Sequence, residues 1–272
     1  MKYIFITLGV LLVAILLPVL SILLIQKLTK KKWKGWLKIL VTAFSAVIIT
    51  LSSGLIYLSV YYHATEEVSS SLESDDQVTV SESGDYYRFD NTSNEEKAII
   101  FYGGAKVEEK AYAPLLRQIA TEGIDVYLLK IPFRFAFLGI NKADAVNHQY
   151  HYSSLYLMGH SLGGTTASLY LSSSSYDYQG IIFLASYPSK PIQESLSSLS
   201  FYGTEDKVMN KNEYENKKKL LPNQQEEVVL NGGNHAYYGN YGEQKGDGVA
   251  SISRDEQQSL VSQKVVKFVL SE

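Results

Sequence analysis

The stretch Ser153–Leu171, SSLYLMGHSLGGTTASLYL, decides the architecture. It opens on an apolar run, SSLYLM, of strand length. It turns through GHSLGG at 159–164, then continues as TTASLYL with helical spacing. A strand that turns sharply into a helix leaves no room for side chains beside the turn. Glycine at 159 and 163 meets that demand. G-x-S-x-G in this context lifts the Ser161 hydroxyl clear of the sheet and aims the Leu162 amide and the helix N-terminus at the same spot.

Outward from this stretch, strands and helices alternate. KAIIFY, IDVYLLK, GIIFLAS, SLSFYGTED and QEEVVL read as strands. EEKAYAPLLRQIATEG, NKADAVNHQY and KNEYENKKKLL read as helices. The last helix starts at Ser253, where S-R-D-E forms a capping box. Upstream, QVTV and YYRF flank SESG and predict a hairpin at a sheet edge. The pattern predicts an α/β fold with a doubly wound, mostly parallel sheet.

A serine hydroxyl needs a base to become a nucleophile. Asp206 closes SLSFYGTED and His235 follows EEVVLNGGN, so serine, acid and histidine each come after a strand, in that order. In this reading His235 takes the Ser161 proton and Asp206 fixes its tautomer. Glu205 is the rival acid. His160 is held in the turn, His148 and His151 precede the strand of Ser161, and His63 stands far upstream. An oxyanion needs two donors. The Leu162 amide is one. Gly103-Gly104-Ala105-Lys106 supplies the other, with Ala105 preferred and Gly104 second. PFRFAFLG at 132–139 either lines an apolar acyl pocket or is ordinary packing. The tyrosine-rich AYYGNYGEQKGDG loop is a candidate for the site mouth.

Composition excludes several alternatives. The 272 residues contain no cysteine, which removes disulfides, thiol catalysis and cysteine-ligated metals. A formal net charge of -3 gives no footprint for nucleic acid. No Walker loop, dinucleotide fingerprint or metal-spaced cluster occurs, so neither cofactor nor metal is expected.

The N-terminus has another texture. Tyr3–Ile25 is apolar apart from Thr7, Gly9, Pro18 and Ser21, and a second apolar run covers Trp36–Val60. Each exceeds the roughly 20 residues that cross a bilayer. Small residues marking a cleavage site do not follow the first run, so it reads as retained. Between the runs QKLTKKKWKGWLK carries Lys27, Lys30, Lys31, Lys32, Lys34 and Lys38. The flank before holds only Lys2, and HATEEVSSSLESDD after the second run holds no Lys or Arg. The lysine loop therefore belongs in the cytoplasm and both termini outside. Glu66 to Asp76 is serine- and acid-rich and reads as a solvated linker.

GHSLGG, Asp206 and GGNH resemble the α/β-hydrolase superfamily. GGAKVEEKAYAPLLRQIA, IPFRFAFLGINKADAV, LASYP at 184–188 and GGNHAYYGNYGEQKGDG followed by ISRDEQQ resemble, more narrowly, the dienelactone-hydrolase-like group known as α/β-hydrolase fold 5. The resemblance covers roughly residues 97–270 and implies the same triad. Two departures stand out. Dienelactone hydrolases use a cysteine nucleophile, which is absent here. The oxyanion loop often starts with His or Pro, where this chain has Tyr102-Gly103.

The expected organisation is a membrane anchor of two transmembrane helices (1–62), a linker (63–76) and an α/β-hydrolase domain (77–272). The expected activity is hydrolysis of an ester, less readily an amide, through an acyl-enzyme. Partners are a small-molecule or lipid-like ester and, through the N-terminal helices, membrane lipids. A multi-pass membrane location with the catalytic domain outside follows. An acyltransferase using the same triad and a non-catalytic binding protein on the same fold are the competing classes.

Overall fold

The computed structural model describes residues 2–92 and 96–271, with side chains from Val13 onward. It divides into two units, residues 1–60 and 61–272.

The first unit is two helices, α1 (Lys2–Thr29) and α2 (Gly35–Ser59), packed on each other. Among the described side chains of α1, Ala14, Pro18 and Ile22 are buried, one helical turn apart. Many other apolar side chains face outward: Ile39, Leu40, Phe44, Ile48, Leu51 and Ile56 of α2 are all exposed. α2 is long and apolar enough to cross a membrane. The apolar run expected from Tyr3 lies partly outside the described side chains. Its described part, Val13–Thr29, is a shorter apolar helix.

The second unit is built on an eight-stranded sheet in the order β1-β2-β4-β3-β5-β6-β7-β8. β1 (Val78–Glu82) and β2 (Tyr86–Asn91) form the expected edge hairpin, and β2 pairs antiparallel with β4 (Asp125–Leu129). β3 (Lys97–Tyr102), β5 (Ser154–His160), β6 (Gly180–Leu184), β7 (Ser197–Gly203) and β8 (Gln225–Leu230) continue the sheet in parallel with β4. Successive residues of β3 serve opposite faces. Ile99 and Phe101 join one core with Leu115, Leu116 and Ile119 of α3 (Ala113–Thr121) and Val261 and Val265 of α7 (Arg254–Leu270). Ala98, Ile100 and Tyr102 join the other, with Ala167 and Leu171 of α5 (Leu162–Leu171) and Val146 of the short α4 (Asp144–Asn147). Asn210 caps α6 (Lys211–Lys217) through the Glu213 amide at 3.1 Å, and Ser253 caps α7 through the Glu256 amide at 3.1 Å.

The chain runs from β3 outward to β4 and returns to the other flank of β3 as β5. This reversal opens a crevice at the carboxyl ends of β3 and β5, where open α/β sheets bind ligands.

One expectation fails. The segment 63–76 is not a solvated linker but part of the second unit. The Tyr62 amide donates to the Lys106 carbonyl at 2.7 Å, and the Glu108 amide donates to the Tyr62 carbonyl at 2.9 Å. The Thr65 amide reaches the Asn240 carbonyl at 2.8 Å. Glu66–Leu72 forms 3₁₀ turns with Val68 buried. Arg117 of α3 closes the segment, 2.6 Å from Asp75 and 2.5 Å from the Glu73 carbonyl. The amides of Val78 and Gln77, together with Arg117, hold the Asp75 carboxyl down at about 2. Polar composition described the side chains correctly, but backbone hydrogen bonds dock this segment.

Candidate active site

Ser161 sits at the junction of β5 and α5 with φ 52 and ψ -124, a left-handed conformation that non-glycine residues rarely adopt. Such strain costs of order 1–3 kcal/mol and persists only where the surroundings over-determine it. They do so here. The Ser161 amide donates to the Leu184 carbonyl of β6 at 2.9 Å, and the Ser186 hydroxyl donates to the Ser161 carbonyl at 2.6 Å. The two glycines are compulsory. A Cβ on Gly163 would lie 2.1 Å from the Tyr102 carbonyl oxygen, and one on Gly159 would lie 2.4 Å from the Gly164 nitrogen. Leu162 opens α5, so its amide has no acceptor within the helix. Ser161 borders a cleft of 220 Å³ with Leu162, Thr165, Tyr187, Val208 and Met209.

Asp206 follows β7 and His235 follows β8, both buried. Asp206 Oδ2 and His235 Nδ1 are 2.8 Å apart. Asp206 Oδ1 accepts the amides of Val208 and Met209, both at 2.8 Å. Burial raises the Asp206 pKa, but His235 and the two amides outweigh it and hold the carboxyl below its ordinary range. Glu205, the rival acid, accepts from the Thr204 hydroxyl at 3.3 Å and makes no bond to the histidine. Ser161 Oγ makes no hydrogen bond among the described residues, so the fold pairs acid with histidine and leaves the serine side chain free. Asp125, another buried aspartate, is remote. It opens β4 beside Ala98 at the amino ends of the strands, bound to Arg88 at 2.9 Å and Tyr152 at 2.6 Å.

Three residues to which the sequence reading gave no role hold this arrangement. Gln257 of α7 accepts the Asn234 amide and donates to the Asn234 carbonyl, each at 2.9 Å, clasping the residue before His235. Asp247 accepts the Ala236 amide at 2.9 Å and the Lys207 amide at 3.2 Å, tying the histidine loop to the aspartate loop. Tyr112, fully buried, accepts the Gly104 amide at 2.9 Å and lies 2.9 Å from His160 Nδ1. Burial raises the Tyr112 pKa, so the phenol stays protonated and donates to His160. Burial, then the neighbouring His235, lowers the His160 pKa well below its ordinary value, so the ring is neutral. The His160 and His235 ring centroids are 4.6 Å apart.

These contacts separate the two candidate oxyanion residues. The Gly104 amide is occupied by Tyr112, and a Cβ there would lie 2.8 Å from His160 Nδ1. Ala105 is half-buried, and no hydrogen bond from its amide occurs among the described residues. In the aromatic segment Phe133, Phe137 and Leu138 are exposed, while Ala136 and Gly139 are buried. In the tyrosine-rich loop Tyr238 and Tyr241 are buried and build core rather than a mouth. Among the described residues no group of three His, Asp or Glu side chains is arranged to hold a metal ion.

The sequence profile of the Alpha/beta hydrolase family matches residues 98–259, more than half of the chain. The protein belongs to the alpha/beta hydrolase family. No curated protein matches in sequence. Among solved structures, a predicted CIB-like hydrolase from Thermoplasma acidophilum superposes with a TM-score of 0.52 at 14% identity, covering 70% of this chain and 99% of the other. A dienelactone hydrolase from Anabaena variabilis gives 0.52 at 12% identity, with 69% and 96% covered. Est1E from Butyrivibrio proteoclasticus gives 0.49 at 14% identity, with 72% and 98% covered. For the two structures at 0.52 the likeness concerns the fold alone.

Proposed function

We propose that the protein is a membrane-anchored serine hydrolase that cleaves an ester through an acyl-enzyme on Ser161. The observation that carries this reading is the strained Ser161 backbone at the carboxyl end of β5, in the sheet that also holds the Asp206–His235 pair after β7 and β8. In the reaction His235 Nε2 takes the Ser161 proton as Oγ attacks the acyl carbon. Asp206, bonded to Nδ1, keeps the proton there and stabilises the imidazolium. The oxyanion receives the amides of Leu162 and Ala105. Collapse of the tetrahedral intermediate releases the alcohol, protonated by His235, and water then repeats the sequence on the acyl-enzyme. The free Ala105 amide and the occupied Gly104 amide support Ala105 as second donor.

The anchor follows the same logic. The exposed apolar surface of α1 and α2 favours a lipid environment, and the lysine loop between them favours the cytoplasm. We read both helices as spanning and the catalytic domain as external.

Labelling the full-length protein with a fluorophosphonate probe tests the chemistry. The expected result is one adduct on Ser161 that is lost in Ser161→Ala. Absence of labelling in the folded wild-type protein would leave a binding role on the same fold. A panel of acyl esters of graded chain length then defines the substrate.

A further inference from the structure

Phe133, Phe137 and Leu138 are 44%, 42% and 53% exposed, three large apolar side chains within six residues. Their backbone is unusual as well. Phe133 and Arg134 are consecutive non-glycine residues with φ of 53 each, in 3₁₀ turns that follow β4. The strained turn leaves the Phe133 ring exposed. The segment is fastened to the candidate oxyanion loop, because the Lys106 amide donates to the Arg134 carbonyl at 2.7 Å. Arg134 and Ile131 share a narrow cleft with Gly103 and Gly104. The Arg134 guanidinium lies 3.8 Å from the centroid of the Tyr61 ring.

Tyr61 identifies what the patch meets. In sequence it stands two residues after Ser59, the last residue of the apolar α2. Two residues of extended chain reach about 7 Å. Covalent connection alone therefore keeps the Tyr61–Arg134 contact near the end of α2. The surface of α2 is apolar and exposed up to that end, with Leu55, Ile56 and Tyr57 all open. A bilayer covers such a helix and would reach a patch tethered at its end. Apolar side chains that dip to the boundary between head groups and acyl chains bind there through the buried apolar area.

We infer that Phe133, Phe137 and Leu138 form a membrane-contacting surface that sets the oxyanion loop against the bilayer, so that the substrate is an ester presented by the lipid phase. This rests on the reading of α2 as a membrane span. It adds to that reading a defined contact of the catalytic domain and a substrate class: an amphiphile whose ester carbonyl lies at the interface.

The absence of native cysteine makes a direct test simple. The full-length chain carrying Leu138→Cys, labelled with an environment-sensitive fluorophore, is reconstituted into vesicles of phosphatidylcholine and phosphatidylglycerol. Val249→Cys, at a position 91% exposed in another loop, serves as the aqueous control. The label at 138 should shift to the blue and be quenched by nitroxide-bearing lipids, while that at 249 should do neither. Retention of the chain after alkaline carbonate washing, with the 138 label as aqueous as the 249 label, would overturn the proposal and leave the membrane span standing. Release of the chain by carbonate would overturn the span and the proposal together. In a second arm, Phe133→Ser, Phe137→Ser and Leu138→Ser are combined. Turnover of an ester embedded in vesicles should drop by about tenfold or more, while soluble p-nitrophenyl acetate stays within about twofold, because the loss is of apolar contact with lipid. Equal losses on both substrates would count against a lipid-facing role.

Discussion

Ser161, Asp206 and His235 follow three different strands, and the proposed triad makes predictions for each of them. Ser161→Ala should abolish p-nitrophenyl ester hydrolysis with an unchanged circular dichroism spectrum. His235→Ala should do nearly the same, and the double variant should be little worse, because the group acts as a unit. Asp206→Asn should lower kcat by about 10³–10⁴ through the wrong histidine tautomer. Glu205→Gln, which touches only Thr204, should stay close to wild type. The reverse outcome would move the acid by one residue. Tyr112 makes a separate prediction. Tyr112→Phe frees the Gly104 amide and removes the donor to His160 Nδ1 while keeping the ring in its buried slot. The oxyanion loop should lose its register, so kcat should fall by about tenfold with KM changed much less, since a transition-state contact is what is disturbed. A change confined to KM would assign Tyr112 to substrate binding instead. At this scale the strained turn at Ser161 was legible because local glycines encode it. Tyr112 was not, because its partner His160 is 48 residues away and no spacing rule links them.

At the scale of elements, the central strands could be read because they are short apolar runs between turn residues, and β3 alternates its two faces as the period of a strand demands. The capping serine of α7 fixed that helix start in sequence and in space. The segment 63–76 escaped the same reasoning. Only Val68 is buried in it, and its other ties are main-chain bonds and the ends of Arg117, which side-chain composition does not register. The loop after β8 shows the converse. GGNHAYYGNYGEQKGDG was conspicuous as a motif, but the reason for its Asp247 and for Gln257 of RDEQQ emerges only when they close on Ala236 and Asn234. The docked segment gives a testable consequence. Arg117→Ala removes the contacts to Asp75, Ser71 and Glu73 together. Limited proteolysis should then cut between residues 66 and 76, where the wild-type protein resists. Equal cleavage of both proteins would mean that Arg117 does not fasten the segment.

At the scale of the whole molecule, acid stability and membrane orientation both follow from where charge is tolerated. His160 is held neutral by burial, with its pKa well below the ordinary 6.5 that it regains on unfolding. Between those values the unfolded chain binds a proton that the native chain does not, so stability declines as pH falls through about 6.5. The native Asp206 pKa is also depressed, so its contribution is present above the unfolded value of about 3.9 and disappears as pH falls through the native one. Thermal melts should therefore show the first loss opening near pH 6.5, flattened in His160→Gln, and a second below about pH 4. An identical slope in the variant between pH 6.5 and 5 would remove His160 from this account. Orientation depends on the flanks of α2. On its N-terminal side stand Lys30, Lys31, Lys32 and Lys34; on its C-terminal side HATEEVSSSLESDD carries no Lys or Arg. Carrying cations across an energised membrane costs about 2.3 kcal/mol per charge per 100 mV, so the lysine side should stay in the cytoplasm. That argument needs only α2 to span, because in the chain α2 lies between these lysines and Tyr61. In the cysteine-free chain, Val249→Cys should react with a membrane-impermeant maleimide on intact cells, while Lys32→Cys should react only after lysis. Replacing the four lysines with Gln should scramble the pattern. Protection of Val249→Cys with labelling of Lys32→Cys on intact cells would reverse the orientation and put the substrate on the cytoplasmic side.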